Sequence, residues 1–211
     1  KGRGGILNIS LPASWGNHWL LPRLPQFMNA RPEISLNILT RIGAADFSAR
    51  QIDAAIEFRA QARNDMDCEL LMTSELAAYA SPEWIKQRSR VTLRTQLLSQ
   101  IRAEDLLQHT TLPDAWAMWW HEMDVQGPTA QGSRYDLMFM AMNAAAAGLG
   151  VALLPDFLVA PMIASRRLQA VGDRKITVPG GYFLSKSPLL RNESAFNEFR
   201  AWLLRQMPHG L

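Results

Sequence analysis

The sequence predicts an α/β fold with parallel β-sheets covered by helices on both faces. The strongest observation is the stretch NAAAAGLGVALLP, residues 143–155, in which small side chains lead into two glycines and then into an apolar run. A helix of small residues that turns at glycine and feeds a short apolar strand is typical of a sheet buried on both faces. The second observation is that strand and helix patterns alternate along the chain, which favours parallel strands joined by crossover helices.

In the first third of the chain, a helix is predicted over about residues 16–30, because apolar residues recur there at helical spacing. Pro22 and Pro25 interrupt this pattern, so they must remove hydrogen bonds or move the start of the helix to a later residue. A short helix is expected over 44–51. The predicted strands around these helices are 7–11, 34–40 and 53–58.

The rest of the chain continues the alternation, and residues 88–101 are left open as a loop that could contain a short helix. Further strands are predicted at 69–80 with an interruption near Ser74, and at 110–112, 151–154, 176–179 and 182–185. Helices are predicted where a serine, aspartate or asparagine can cap the first turn. They start at Pro82, cover 104–108, follow Asp114, run from Asp136 to Gly148, and cover 157–164 and 193–206.

Composition excludes several classes of protein. The chain has 211 residues, of which 48% are hydrophobic and 19% charged, as in a globular protein. A net charge of +3 is too small to require a nucleic-acid partner for these residues. The single cysteine, Cys68, excludes an internal disulfide and favours the cytoplasm. No apolar run approaches the ~18 residues of a membrane span, so no membrane partner is expected.

Motifs for catalysis and metal binding are missing from the sequence. Gly148-Leu149-Gly150 lacks the third glycine of a dinucleotide loop, and His121-Glu122 is followed by Val125 where a zinc protease needs histidine. The four histidines do not have metal-ligand spacing. We therefore expect no catalytic residues, no metal and no cofactor, and a protein that is not an enzyme.

Several short motifs, in a fixed order, point to one family. They are LNISLPAS, WLLPRLPQF, RPEISLNI, IDAAIEF, SPEW, AAAAGLGVALLP and GGYFLSKSP. In this order they resemble the effector-binding domain of LysR-type transcriptional regulators. The aromatic helix WAMWW and the strand at 180–183 are most similar to the branch that regulates β-lactamase induction and glycine cleavage.

The resemblance implies two Rossmann-like subdomains with a cleft, a periplasmic-binding-protein-like fold of type 2. Subdomain I would contain 1–75 and 178–211, and subdomain II would contain 76–177. The implied partners are a small-molecule effector in the cleft, a second copy of the chain in a homodimer or tetramer, and DNA. DNA would be bound by an N-terminal winged helix-turn-helix domain that is absent from this chain.

The predicted site follows from strand ends, because ligands of open parallel sheets bind beyond the carboxyl ends of strands, next to helix N-termini that favour anions. The resemblance also implies that Ser14 contacts the effector, and it adds Asp46 and Tyr182 to the predicted contacts. Leu137 and Met138 stand where the branch carries serine hydroxyls, so an apolar pocket floor is expected. An anionic or zwitterionic effector is predicted. Its predicted contacts are Ser14, Thr40, Arg41, Asp46, Arg59, Trp116, Ser133, Tyr135, Asp136 and Tyr182.

Structural alternatives remain for these residues. Ser14 and Asp136 could each serve only as helix caps. Arg59 could pair at the surface with Asp65 or Asp67.

Two apolar stripes suggest an interface between copies of the chain, because each carries large residues on more than one face of its helix. The resemblance implies that these two helices pair across a two-fold axis. The alternative is that the residues complete the core of a monomer. The residues concerned are Trp19, Leu20, Leu24, Phe27, Met138 and Met142.

Two other functions fit the same fold. A solute-binding protein of a transport system would have a similar cleft in another compartment. An enzyme of this fold is disfavoured, because the sequence offers no catalytic set of residues.

Overall fold

The computed structural model describes residues 5–41, 43–48, 52–62, 64, 67–88 and 97–207. The chain separates into two compact units. Unit 1 contains residues 1–74 and 179–211, and unit 2 contains residues 75–178. Each boundary between the units therefore falls inside a strand, β4 or β9 as defined below.

Nine strands and seven α-helices have bounds within the described residues, and residues 97–98 are also helical. The strands are β1 (Gly5–Leu11), β2 (Ile34–Thr40), β3 (Ala54–Arg59), β4 (Cys68–Ala80), β5 (Leu106–His109), β6 (Arg134–Tyr135), β7 (Val151–Pro155), β8 (Gln169–Ala170) and β9 (Ile176–Lys186). The helices are α1 (Ala13–Trp15), α2 (Leu24–Ala30), α3 (Pro82–Arg88), α4 (Ala115–Glu122), α5 (Met138–Ala146), α6 (Asp156–Ala164) and α7 (Glu193–Gln206). None of these helices combines the length and the apolar character needed to cross a membrane.

Unit 1 is built around β1, which pairs in parallel with β2 along its whole length, from Gly5 with Ile34 to Leu11 with Thr40. On its other side β1 pairs in parallel with β3. β3 then pairs with β9 in the antiparallel direction. The carboxyl ends of β1, β2 and β3 therefore lie at one edge of this sheet, where the sequence predicts ligand contacts.

Aromatic side chains hold α7 against the rest of unit 1. Phe27 of α2 meets Phe199 edge to face at 5.6 Å and lies 5.2 Å from Trp202, measured between ring centroids. The Asn192 side chain accepts a hydrogen bond from the Ala195 N–H at 3.0 Å. This confirms the predicted cap and start of α7.

Unit 2 has β7 between β4, which runs antiparallel to it, and β5, which runs parallel. β6 pairs in parallel with the other side of β5, and β8 pairs with β4. All five residues of β7 are buried, as the apolar run predicts. Gly148 has a φ of +82°, a left-handed conformation that lets the chain turn sharply from α5 into this strand.

The first predicted helix is broken into pieces. α1 continues into a π-helical stretch at Gly16–Leu20, and α2 begins only at Leu24. Pro25 lies in the first turn of α2, where its missing N–H costs no intrahelical hydrogen bond. A later start, one of the two outcomes expected from the prolines, is therefore found for α2.

Five other element predictions are wrong. Residues 44–48 are not helical, and residues 49–51 lie outside the described part. Residues 104–108 form a 3₁₀ turn followed by β5, so the predicted helix and the strand at 110–112 are both misplaced. β4 runs without interruption past Ser74, and β9 joins the two strands predicted at 176–179 and 182–185. Much of the open region, 89–96, lies outside the described residues.

Helix starts in unit 2 differ in detail from the predicted caps. Asp114 occupies the N-cap position of α4, but its side chain makes no capping hydrogen bond. α5 starts at Met138 with Leu137 at the N-cap, so Asp136 does not cap this helix. Asp156 is the first residue of α6, and Pro155 precedes it as the N-cap.

Candidate functional site

The carboxyl edge of the unit 1 sheet brings several predicted residues close together. Thr40 lies beside Leu11 in the β1–β2 register, and the Arg41 N–H donates to the Leu11 carbonyl at 3.2 Å. Ser14 follows the same strand in α1 and is buried. Pro12 occupies the N-cap of α1, so Ser14 is not in the capping position of the alternative interpretation.

A charge pair lies at the end of β3. Glu57 is only 5% exposed, and Arg59 Nη1 lies 3.8 Å from Glu57 Oε1. The two side chains share a face of the strand, because alternate residues point to the same side. Arg59 therefore pairs with a neighbour that the site prediction omits. Asp67 pairs with Lys186 instead, and Asp65 lies outside the described residues.

The segment 43–48 packs over this face of β3. The Ala45 N–H donates to Glu57 Oε1 at 2.7 Å. Ala45 and Phe47 are buried in a cluster with Ile52 and Ala55. Asp46 lies between them and is exposed. Hydrogen bonds from the side chain and backbone of Ser48 lower the pKa of Asp46, so its carboxylate is charged at neutral pH.

Aromatic rings occupy the opposite face of β3. Tyr182 of β9 is paired with Phe58 of β3, and their ring centroids are 5.2 Å apart in a T-shaped contact. Trp15 lies 6.0 Å from Tyr182 and stacks on Trp19 at 4.7 Å. Burial raises the pKa of the Tyr182 phenol, which is therefore neutral at physiological pH. The predicted residue Tyr182 thus lies within an aromatic wall beside the strand ends.

In unit 2, the predicted residues gather around the ends of β5 and β6. The buried Trp116 Nε1–H donates to the Leu107 carbonyl at 2.9 Å. The Ser133 carbonyl accepts from the Gln108 N–H at 2.9 Å, and the Tyr135 carbonyl accepts from the Thr110 N–H at 2.9 Å. Ser133 is exposed and Tyr135 is half-buried.

His109, at the end of β5, lies among these residues but is not in the sequence prediction. Its Nδ1 is 2.8 Å from the Thr111 hydroxyl. Burial lowers the pKa of His109, while the backbone and charge of Asp136 oppose that shift. The ring is therefore mainly neutral at pH 7 and can both donate and accept a hydrogen bond. Its position after a short apolar strand is the signal that could have identified it.

A surface cleft of about 580 Å³ opens beside α4. It has the size of many small-molecule sites, and its walls combine indole rings with polar groups. It contains Trp116, so part of the predicted site contributes to it. The chemically distinctive lining residues are His109, Asp114, Trp116, Trp120, His121 and Arg134.

The residues predicted to form an interface are mostly buried within the single chain. Of the six residues, Leu24 is partly exposed. The other five are each less than 9% exposed: Trp19, Leu20, Phe27, Met138 and Met142. Burial in the chain's own core accounts for their apolar character. Contact with a second copy through the same helices stays a prediction.

Potential metal ligands are dispersed over the described part of the chain. Across residues 5–207, excluding the gaps noted above, no three histidine, cysteine or acidic side chains come together in a way that could hold a metal ion.

Comparison with known proteins identifies relatives over nearly the whole chain. The AmpR transcriptional activator of Pseudomonas aeruginosa is 29% identical over 205 residues, which cover 94% of this chain and 65% of the relative. A glycine cleavage system transcriptional activator homolog of Haemophilus influenzae is 25% identical, covering 95% and 65%. The chain thus spans about 65% of the length of these curated relatives. Both are named as transcriptional activators, and neither as an enzyme or a transport protein.

Solved structures agree with this relationship. The effector domain of AmpR from Pseudomonas aeruginosa has a TM-score of 0.81 and 27% identity, covering 95% of this chain and 94% of that domain. The AmpR effector binding domain of Citrobacter freundii also has a TM-score of 0.81, with 25% identity and coverage of 95% and 96%. These matches confirm the predicted fold class, an α/β fold of the periplasmic-binding-protein type 2. They also confirm the resemblance to the β-lactamase and glycine-cleavage branch.

The family model that matches the chain is described as the LysR substrate binding domain, and it covers residues 1–208. Fold, relatives and family model therefore agree, and the chain belongs to the LysR substrate-binding domain family.

Proposed function

We propose that the chain is the sensing domain of a transcriptional regulator, and that it binds a small anionic or zwitterionic effector. The observation that carries the proposal is the polar and aromatic edge of unit 1, within a chain of the LysR substrate-binding family. Buried Ser14 follows the end of β1, and Glu57 and Arg59 lie at the end of β3. Buried Tyr182 lies within β9, where it is paired with Phe58 of β3. Such an edge supplies oriented donors and acceptors to a small polar molecule.

The two subdomains of the proposal are 1–75 with 178–211 and 76–177, and the effector would lie between them. Trp116, Ser133, Tyr135 and Asp136 would supply the contacts from the second subdomain. In the whole protein, a winged helix-turn-helix domain would bind DNA, and effector binding would change the spacing of two such domains in a dimer.

A binding screen tests the sensing role. The 211-residue chain is melted with amino acids, organic acids and cell-wall fragments. At a concentration of 100 times Kd, a ligand stabilises the folded state by about 2.7 kcal/mol, which raises the melting temperature by roughly 5–10 °C for a chain of this size. Arg59→Met should reduce that shift. Arg205→Met, which alters an exposed arginine on α7, serves as the matched control.

The regulatory role needs the full-length protein. A compound found in the screen should change its affinity for DNA from its own upstream region in a gel-shift assay. If no compound stabilises the chain, and the full-length protein binds that DNA identically with every compound, the sensing proposal is wrong.

We also propose that the regulator is a homodimer or tetramer assembled through α5 and the helical segment 13–30. Since the larger predicted residues are buried, a partner would meet the outer side of these elements, where Leu21 and Met140 are 45% and 44% exposed. Met140→Glu should yield monomers in sedimentation at micromolar concentration. Ile163→Glu, at an exposed position on α6, should leave the assembly unchanged.

A further inference from the structure

The Glu57–Arg59 pair has hydrogen-bonding capacity that the described residues do not use. Glu57 Oε1 accepts from the Ala45 N–H at 2.7 Å and faces Arg59 Nη1 at 3.8 Å. Glu57 Oε2 and Arg59 Nε are both shielded from solvent, and neither has a hydrogen-bond partner in the described part of the chain. Buried polar atoms without partners cost free energy, so a third group that pairs with both would stabilise this site.

The chemistry of the pair specifies that group. A carboxylate only accepts hydrogen bonds and a guanidinium only donates them. A simple carboxylic acid would pair with Arg59 but would place its charge beside Glu57, and a simple amine would place its charge beside Arg59. A ligand with an ammonium and a carboxylate attached to the same carbon satisfies both side chains and brings no net charge into the site.

We propose that Glu57 binds the ammonium, and Arg59 the carboxylate, of a zwitterionic α-amino acid or of a larger molecule that carries this head group. The inference rests on the proposed function, because it names the effector class of the same site. Within that proposal it selects a zwitterion over a simple anion.

The geometry also orients the ligand. The Arg59 side chain is 32% exposed and Glu57 is 5% exposed, so the head group enters from the side of Arg59 and its ammonium lies deeper. The hydrogen bond from the Ala45 backbone fixes the Glu57 carboxylate before binding. A carboxylate held in place in this way loses little conformational entropy on binding, which favours affinity.

The test compares matched ligands by calorimetry on the 211-residue chain. The probes are the common α-amino acids in both configurations, each with the acid that lacks its amino group and the amine that lacks its carboxylate. For alanine these are propionate and ethylamine. We expect at least one amino acid to bind about tenfold or more tightly than either of its analogues, because each analogue loses a charge-assisted hydrogen bond.

Variants then assign each half of the head group. Glu57→Gln keeps an oxygen for the Ala45 N–H but loses the charge, so the preference for amino acid over acid should fall about tenfold. Arg59→Met should reduce the preference for amino acid over amine by a similar factor. Glu33→Gln and Arg191→Met change exposed side chains of unit 1 and should leave both preferences unaltered. Each readout is a ratio of two affinities measured on the same variant, so a general loss of folded protein would not change it.

Three results would overturn the inference: acids bind as tightly as their amino acids, Glu57→Gln leaves the preference unchanged, or none of these probes binds. The proposed function fails separately. If a compound without an ammonium binds and alters DNA binding by the full-length regulator, sensing stands and the zwitterion is wrong. If an amino acid binds as expected without any effect on DNA, the head-group assignment stands and the regulatory role is wrong.

Discussion

Asp53, in the IDAAIEF motif, joins the start of β3 to β1 and offers a quantitative test of how unit 1 is held together. Its Oδ2 accepts hydrogen bonds from the backbone N–H and the side-chain amide of Asn8, each at 2.8 Å. Its own N–H donates to the Asn8 carbonyl at 2.8 Å. β1 and β3 are otherwise paired only at Ile9 with Ala54 and Ser10 with Ala55. The carboxylate therefore extends a short ladder by one further step.

Asp53→Ala removes both hydrogen bonds to the carboxylate and leaves two Asn8 donors without an acceptor. A hydrogen bond to a charged group contributes about 1.5–3 kcal/mol, and this one is partly buried, so we expect a total loss of about 3 kcal/mol. Asp53→Asn keeps one acceptor oxygen and should cost about 1 kcal/mol. Asn37→Ala removes only the exposed Asn37–Asn8 bond and should cost about 0.5 kcal/mol or less.

Urea denaturation measures these differences, with far-UV circular dichroism and tryptophan fluorescence recorded together so that a two-state analysis can be checked. A double-mutant cycle with Asn8→Ala isolates the pair, and the coupling should be about 1 kcal/mol or more. The carboxylate does not hold β1 and β3 together if Asp53→Ala changes the free energy of unfolding by less than about 0.5 kcal/mol. The same conclusion follows if this substitution costs as much in the Asn8→Ala variant as in the parent.

Three further predictions concern Tyr182, Asp105 and Gly127. Burial raises the pKa of Tyr182 in the folded state, so the stability due to its neutral ring is present below the unfolded pKa of about 10 and is lost as the pH rises above it. Between pH 8 and 11, the Tyr182→Phe variant should therefore lose about 1 kcal/mol less free energy of unfolding than the parent, as measured by urea denaturation. Equal losses in the two proteins would contradict this. Asp105→Asn should cost about 3 kcal/mol, because the nearly buried carboxylate accepts two hydrogen bonds from Arg88 at 2.6 and 2.7 Å; a change under about 1 kcal/mol in denaturation would refute it. Gly127→Ala should lower the melting temperature and the near-UV dichroism, since a β-carbon there would lie 2.0 Å from the Trp120 ring; an unchanged spectrum would count against that packing.

Elements with strong local signals could be predicted from the sequence. Asn192 precedes an amphipathic stretch, and both the cap and the helix α7 are found where the pattern places them. The run 151–155 follows Gly150 and ends at a proline, so its boundaries also follow from local residues. These signals act over a few neighbouring residues and do not depend on the rest of the fold.

Other elements depend on tertiary partners. Leu106 to His109 could be a helix or a strand by composition, and pairing with both β7 and β6 makes it a strand. Gly180 and Gly181 suggested a break in β9, yet the strand continues, because these glycines allow the neighbouring strands β3 and β4 to approach closely. A β-carbon on Gly180 would lie 2.0 Å from the Arg59 carbonyl, and one on Gly181 would lie 2.5 Å from the Met72 carbonyl.

The position of Arg59 at the end of β3 could be predicted from the sequence, but its surroundings could not. The predicted strand end at Arg59 matches the end of β3, whereas Tyr182, which the family resemblance suggested, lies within β9 and is paired with Phe58. Whether these residues contact ligand stays a prediction. The sequence could not reveal that Glu57 is buried beside Arg59, because that burial depends on the segment 43–48 folding over β3. A carboxylate at a strand end is usually solvated, and only packing by distant residues makes it otherwise.

The division of the chain into units affects the order in which it can fold during synthesis. Unit 2 is contiguous, residues 75–178, so its sheet can form as soon as that stretch leaves the ribosome. Unit 1 emerges first but is completed last, because β3 pairs with β9 and Phe27 packs on Phe199 and Trp202 of α7. Until those residues are made, the nascent chain carries an unpaired strand edge and an uncovered apolar helix face. This interval exposes it to aggregation and makes it a substrate for chaperones that bind apolar segments.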